Sequence, residues 1–101
     1  MDDFRGILKE AGDRLVVVDF YAKWCGPCRE ISPKFEEASQ NPKYKNVIFA
    51  KVDVDLADKI ASACGVQSMP TFQFYKNKEM IDEFSGNKPE LLVQKLDTLK
   101  T

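Results

Sequence analysis

Phe4, Ile7, Leu8 and Ala11 recur at the three-and-four spacing of one helical face, and Gly12 follows as a terminator, so the chain is predicted to open with a short helix. The next apolar stretch has a different character. Residues 15–22 read Leu-Val-Val-Val-Asp-Phe-Tyr-Ala, continuous and β-branched rather than alternating, the pattern of a central strand covered on both faces. Residues 25–40 read as a helix that Asn41-Pro42 ends, with Pro33 inside it removing one backbone donor and expected to kink it. A second strand is predicted over 47–54, a short helix over 56–64 closed by Gly65, and a third strand over 71–75 after Met69-Pro70. Asn77-Lys78 reads as a hairpin turn into a fourth strand over 79–84, although Lys is less favourable than Gly at the second turn position. Leu92, Leu96 and Leu99 share one face of a last helix that Pro89 starts.

The early alternation of strand and helix implies a right-handed crossover and a parallel pair, while the late hairpin adds antiparallel strands at the other edge. The expected class is α/β, one mixed sheet of four strands flanked by helices on both faces. Neither linker nor repeat interrupts the 101 residues, so a single domain over 1–101 is expected. A chain of this size buries roughly 65% of the surface that its unfolded form exposes, enough for one core.

Charge and cysteine content narrow the function. Fifteen basic against sixteen acidic residues leave a net charge of -1, with no field to attract nucleic acid or an anionic lipid surface. The longest aliphatic run, Leu15 to Val18, is far short of the ~20 apolar residues of a membrane span. The first residues, Met1-Asp2-Asp3-Phe4-Arg5, lack the positive start and apolar stretch of a secretory signal, and a cytoplasmic location is expected. Three cysteines are too few for the disulfide framework of a small secreted domain, and the absence of histidine removes Ser-His and Cys-His catalysis. Chemistry near neutral pH falls to thiols, carboxylates, amines or backbone.

The sharpest chemical feature is Trp24-Cys25-Gly26-Pro27-Cys28, between the end of the buried strand and the start of a helix. Unpaired backbone N–H groups and the positive end of the helix dipole favour the thiolate of Cys25. Cys28, one turn further in, is expected to sit deeper. Cys25 then attacks an external disulfide, and Cys28 resolves the mixed disulfide. A zinc site needs about four ligands, and only Cys64 stands beyond the pair, so no metal is expected; a purely structural disulfide is the other competing reading. Asp19 is the second informative residue. Inside a strand covered on both faces, desolvation raises its carboxyl pKa and suits it to relay protons to the deeper thiol through water; the bland reading is an exposed or hydrogen-bonded strand-end aspartate. Read alone, Met69-Pro70 is an X-Pro bond of either isomer, Cys64 a small buried apolar residue, and Lys51 either projects into solvent or faces Asp19 across the sheet.

Five collinear stretches carry a resemblance: Val-Val-Asp-Phe-Tyr-Ala-Lys-Trp-Cys-Gly-Pro-Cys, then Pro33, Val-Asp-Val-Asp, Met-Pro-Thr-Phe and Phe-Ser-Gly-Asn-Lys. Together they resemble the thioredoxin family, most closely its animal-type cytosolic members, from about Phe4 to Leu99. The resemblance implies a thioredoxin-like fold and a thiol-disulfide oxidoreductase that reduces protein disulfides. It binds no cofactor and works through its Cys25-Cys28 disulfide. A flavin-containing thioredoxin reductase recharges it with electrons from NADPH, so FAD and NADPH are used indirectly. By the resemblance Cys25 is the attacking cysteine, Cys28 the resolving one and Asp19 the buried acid. Pro70 matches the family's cis-proline, which turns the backbone of Met69 outward to pair with an extended substrate. Trp24, Gly26, Pro27, Met69 and Gly86 match an apolar substrate surface, and Lys51 the lysine that some relatives place near the buried acid. Main-chain pairing over a shallow apolar patch reads few side chains, which accounts for broad specificity.

Four departures from the family pattern follow. The family's short first strand has no counterpart before Phe4, so the strand near 47–52 is expected at an unprotected edge, making the chain a monomer or a weak dimer through that edge. Asn77-Lys78 lacks the turn glycine, and the Gly86-Asn87-Lys88 loop is one residue short. Ser68 replaces the cysteine before Met-Pro in animal members, which removes a disulfide-linked dimer at that point. Besides the reductase, two other readings stand: a binding module regulated by the dithiol state of the same apolar surface, and an oxidase or isomerase, which the Gly-Pro pair disfavours.

Overall fold

The protein is described by a computed structural model covering residues 2–100, with side chains from Phe4 onward; Met1 and Thr101, the ends of the expected 1–101 domain, lie outside the described residues. Helix α1 (Asp2–Ala11) precedes strand β1 (Val16–Tyr21), helix α2 (Gly26–Gln40), a single 3-10 turn (Pro42–Tyr44) and strand β2 (Ile48–Asp53). Helix α3 (Asp58–Ala63), the hairpin β3 (Thr71–Lys76) and β4 (Glu79–Ser85), and helix α4 (Pro89–Leu99) follow. The sheet order is β2-β1-β3-β4, with β1 parallel to β2 and antiparallel to β3, and β3 antiparallel to β4. The four-stranded mixed sheet of the α/β reading is therefore present, with β2 at one edge. Among the described residues no helix is long and apolar enough to cross a membrane.

The unbroken apolar run of β1 has a direct structural cause. Val16, Val18 and Phe20 pack with Phe4, Leu8 and Ala11 of α1, Ala61 of α3 and Tyr75. Leu15 and Val17 project the other way and pack with Ile31 and Phe35 of α2, Leu92 and Leu96 of α4, and Phe72, Phe74 and Phe84. No residue from Leu15 to Phe20 is more than 2% exposed. With both faces covered, alternation has nothing to gain, and each fully buried aliphatic or aromatic side chain contributes about 1.5–3 kcal/mol.

One boundary is corrected, and two local features have a physical cause. The α2 helix runs through Pro33 without interruption: the proline leaves the Arg29 carbonyl without its helical donor, but buried Ile31, Phe35 and Ala38 hold both sides of it against the core. The helix expected over 56–64 begins only at Asp58. Asp53 captures the preceding backbone instead: its carboxylate accepts from Asp55 N–H at 2.9 Å, and its carbonyl from Leu56 and Ala57 N–H at 3.1 and 2.9 Å. The hairpin forms despite Lys78, with both Asn77 (φ 51°) and Lys78 (φ 69°) left-handed, the geometry of a type I′ turn. The Asn77 N–H donates to the Gly12 carbonyl at 2.9 Å, so contact with the end of α1 holds the turn from outside.

Asp19 is the anomaly in this strand. It leaves the sheet on the same face as Val17, is 2% exposed, and its Oδ1 is buried with no hydrogen-bond partner. Burial pushes its carboxyl up from 3.8 to about 7, against the opposing pull of the Lys51 ammonium. The sign of the linkage is then fixed. Between pH ~4 and ~7 the unfolded chain has lost this proton while the folded chain keeps it, so stability falls as pH rises through that window and is flat above it. The full cost is about 4 kcal/mol. Urea denaturation of the oxidised protein is expected to show wild type losing stability relative to Asp19→Asn from pH 5 to pH 8, by about 2–3 kcal/mol; parallel stability profiles for the two proteins would contradict the raised value.

Candidate active site

Strand β1 stops at Tyr21 and α2 starts at Gly26, and the short connection between them carries the thiols to one end of the sheet. Cys25 is the N-cap of α2, in extended conformation at φ -85° and ψ 113°. Its N–H donates to the Ala22 carbonyl at 3.1 Å, and its Sγ accepts the Cys28 N–H at 3.1 Å. The sulfur thus occupies the place where a serine or aspartate oxygen ordinarily caps a helix, at the positive end of the dipole, and both contacts favour negative charge on it once reduced. Pro27 lies in the first turn of the helix, where a missing N–H costs nothing. The two sulfurs are joined as a disulfide, with Cα atoms 5.2 Å apart. Exposure barely separates the cysteines, at 5% for Cys25 and 4% for Cys28, so the expected depth difference is slight. Their surroundings separate them. Cys25 Sγ lies 3.7 Å from the Met69 carbonyl oxygen at the outer rim, whereas Cys28 lines a cleft of about 290 Å³ with Asp19, Ala22, Ser32 and Lys51.

Residues far apart in the chain form the rim. Met69 packs against the Ala22-Cys25-Cys28 cluster, and the Met69-Pro70 peptide is cis. The Pro70 carbonyl accepts the Gly86 N–H at 2.9 Å, and Gly86 sits at φ 103°, a conformation that side chains rarely adopt. Trp24 is 65% exposed, and its indole N–H donates to the Asp55 carboxylate at 2.9 Å. Asp55 was not singled out from the sequence. Its signal was present in Val-Asp-Val-Asp, where the turn built on Asp53 presents the following aspartate. Gly26 is half-buried and Pro27 exposed.

Asp19 and Lys51 are register partners on adjacent parallel strands, so both side chains leave the sheet on the α2 face and line the cleft of Cys28. Lys51 therefore faces Asp19, and it reaches solvent as well. Cys64 is not part of the site. It is the free thiol, half-buried at the end of α3 in the core layer beneath α1. Its carbonyl accepts from the Gln73 side chain at 2.8 Å. Among the described residues no group of three or more His, Cys, Asp or Glu side chains is placed to hold a metal ion. The arrangement can exchange a disulfide: a capped sulfur with the Met69 carbonyl beside it, and a second sulfur in the cleft of a buried acid.

Known proteins resemble this chain in sequence and fold. The family model described as Thioredoxin matches residues 1–98. A thioredoxin from Ictalurus punctatus is 53% identical over 100 residues, covering 99% of this chain and 94% of that protein. The X-ray structure of Fasciola hepatica thioredoxin superposes with a TM-score of 0.94 at 41% identity, covering 98% of this chain and 93% of that one. A chain in the crystal structure of ferredoxin:thioredoxin reductase with thioredoxin f2 superposes with a TM-score of 0.90 at 37% identity, over 99% of this chain and 90% of that one. With its Cys25-Cys28 disulfide in that fold, the chain belongs to the thioredoxin family, the thiol-disulfide oxidoreductases that reduce protein disulfides.

Proposed function

We propose that Cys25 is the attacking sulfur, Cys28 the resolving one and Asp19 the group that takes up the Cys28 proton. The observation that carries this reading is the capping contact of the Cys28 N–H on Cys25 Sγ, which leaves Cys25 as the sulfur that bears charge. The Cys25 thiolate attacks one sulfur of a target disulfide, forming a Cys25–target bond and releasing the other target sulfur as a thiolate. Cys28 then gives its proton to the Asp19 carboxylate through water in the cleft and attacks Cys25 Sγ. That step expels the second target thiolate. Two electrons have moved: this chain ends as the Cys25-Cys28 disulfide, and the two target thiolates become thiols by taking one proton back from Asp19 and one from solvent.

Substrate recognition in this proposal uses the Met69 backbone beside cis-Pro70, flanked by Trp24, Gly26, Pro27 and Gly86, and an extended, disulfide-bearing protein segment fits such an edge. The electron source in this proposal is a thioredoxin reductase, a flavoprotein drawing on NADPH; the complex of a thioredoxin with ferredoxin:thioredoxin reductase among the structural relatives supports a reductase as partner and does not bear on the flavin or NADPH. The protein is proposed to act in the cytoplasm as a single domain. The outer side of β2 carries no strand among the described residues, which supports weak self-association through that edge.

Coupled reduction of insulin disulfides, followed by NADPH oxidation in the presence of thioredoxin reductase, is expected to fall to background for Cys25→Ser. For Cys28→Ser it is expected to stall at a covalent adduct whose mass is this chain plus the target; full turnover by either variant would contradict the assignment. Analytical ultracentrifugation at rising concentration is expected to show a monomer with a reversible dimer at the highest concentrations. A concentration-independent monomer would remove the edge from the account.

A further inference from the structure

Lys51 stands between two carboxylates of opposite character. Its position on β2 pairs it with Asp19 on β1, and both side chains emerge on the α2 face. Its ammonium nevertheless lies 3.6 Å from Glu36 Oε1 and 3.4 Å from Ser32 Oγ, two groups four residues apart and so on one face of α2. It also sits over the Tyr21 ring, 4.8 Å from the centroid. Among the described residues no ion pair joins Lys51 to Asp19, whose buried Oδ1 keeps no partner at all. Glu36 is more than half exposed and holds the ammonium at the mouth of the cleft.

We propose that Glu36 is a positioning residue for disulfide exchange: by anchoring Lys51 at the cleft mouth, it keeps the ammonium from closing onto Asp19 and locking that acid as an ion-paired carboxylate. This inference rests on the reading of Asp19 as the proton acceptor for Cys28. The other charged or titratable groups around Asp19 are Lys23 after β1, Tyr21 on β1, and Cys28 and Arg29 on α2. Among the described residues no second acid lines the cleft, and Lys51 is the charge that pulls on Asp19. Glu36 therefore acts on Asp19 by deciding where Lys51 sits. Releasing Lys51 strengthens its attraction for Asp19, because the same two charges interact more strongly in the drier interior than at the surface.

The test reads the Asp19 carboxyl directly, by carbon-13 NMR titration of the oxidised full chain labelled at aspartate. Glu36→Gln is expected to lower the Asp19 midpoint by about half a pH unit, the scale on which an exposed ion pair competes. The same substitution made on Lys51→Met is expected to leave the midpoint where Lys51→Met alone puts it, since a double-mutant cycle isolates the coupling. Glu37→Gln, which removes an equal charge one residue away from a side chain paired with Lys34, is expected to change nothing. An unmoved midpoint in Glu36→Gln overturns the proposal, and so does an equal shift with and without Lys51, which would mean a direct field. The pH profile of mixed-disulfide resolution separates the two levels. A midpoint that shifts while the resolution profile stays fixed sustains the positioning by Glu36 and overturns the relay role of Asp19.

Discussion

Burial of β1 on both faces is the constraint on which the rest of the structure depends. It forces the continuous apolar run from Leu15 to Phe20, fixes that strand at the centre of the sheet, and makes any polar group within it expensive. Asp19 is that group. A carboxyl placed there gives up ionisation until about pH 7, and the fold tolerates the cost at the one position where the strand is about to leave the core and deliver the thiols. The same covered strand ends in a helix N-terminus, so one element supplies a group disposed to carry a proton and another disposed to carry negative charge.

The site is assembled around that strand end by contacts from elsewhere in the chain. The cis Met69-Pro70 peptide brings a backbone carbonyl to Cys25, Gly86 closes onto Pro70, and the turn after β2 sets Asp55 under the Trp24 indole. None of these contacts touches Asp19. The rim proposed to meet a partner and the cleft proposed to handle protons are thus separate surfaces meeting at the disulfide. On that proposal, substitution along the rim changes what is recognised while the chemistry behind it stays intact.

What was legible in the sequence follows from range. The central strand, the helix start at Cys25 and the late hairpin are local patterns, and periodicity or a single motif exposes them. Asp19 was legible because a charge inside a β-branched run conflicts with its surroundings. The isomer at Pro70 was not, since the dipeptide is compatible with both forms and only the resemblance to a family pointed to cis. The delayed start of α3 escaped because an aspartate bonding its own downstream backbone competes with helix at positions whose apolar spacing still fits a helix. Asp55 and Glu36 escaped for another reason: each matters through a side chain about 31 or 15 residues distant in sequence, on a partner element whose register no pattern in the chain announces. The side of the sheet that Lys51 takes is not legible in the sequence, because strand register, not residue type, decides that it faces Asp19.

In the proposed mechanism the buried acid of β1 takes the proton that frees Cys28 to attack. Stopped-flow decay of a preformed mixed disulfide between Cys25 and a chromophoric thiol isolates that step. At pH 7 the account predicts that Asp19→Asn slows the decay by about 10²-fold, the low end for a positioned general base, with formation of the mixed disulfide at Cys25 unaffected. Decay at the wild-type rate in Asp19→Asn would contradict it.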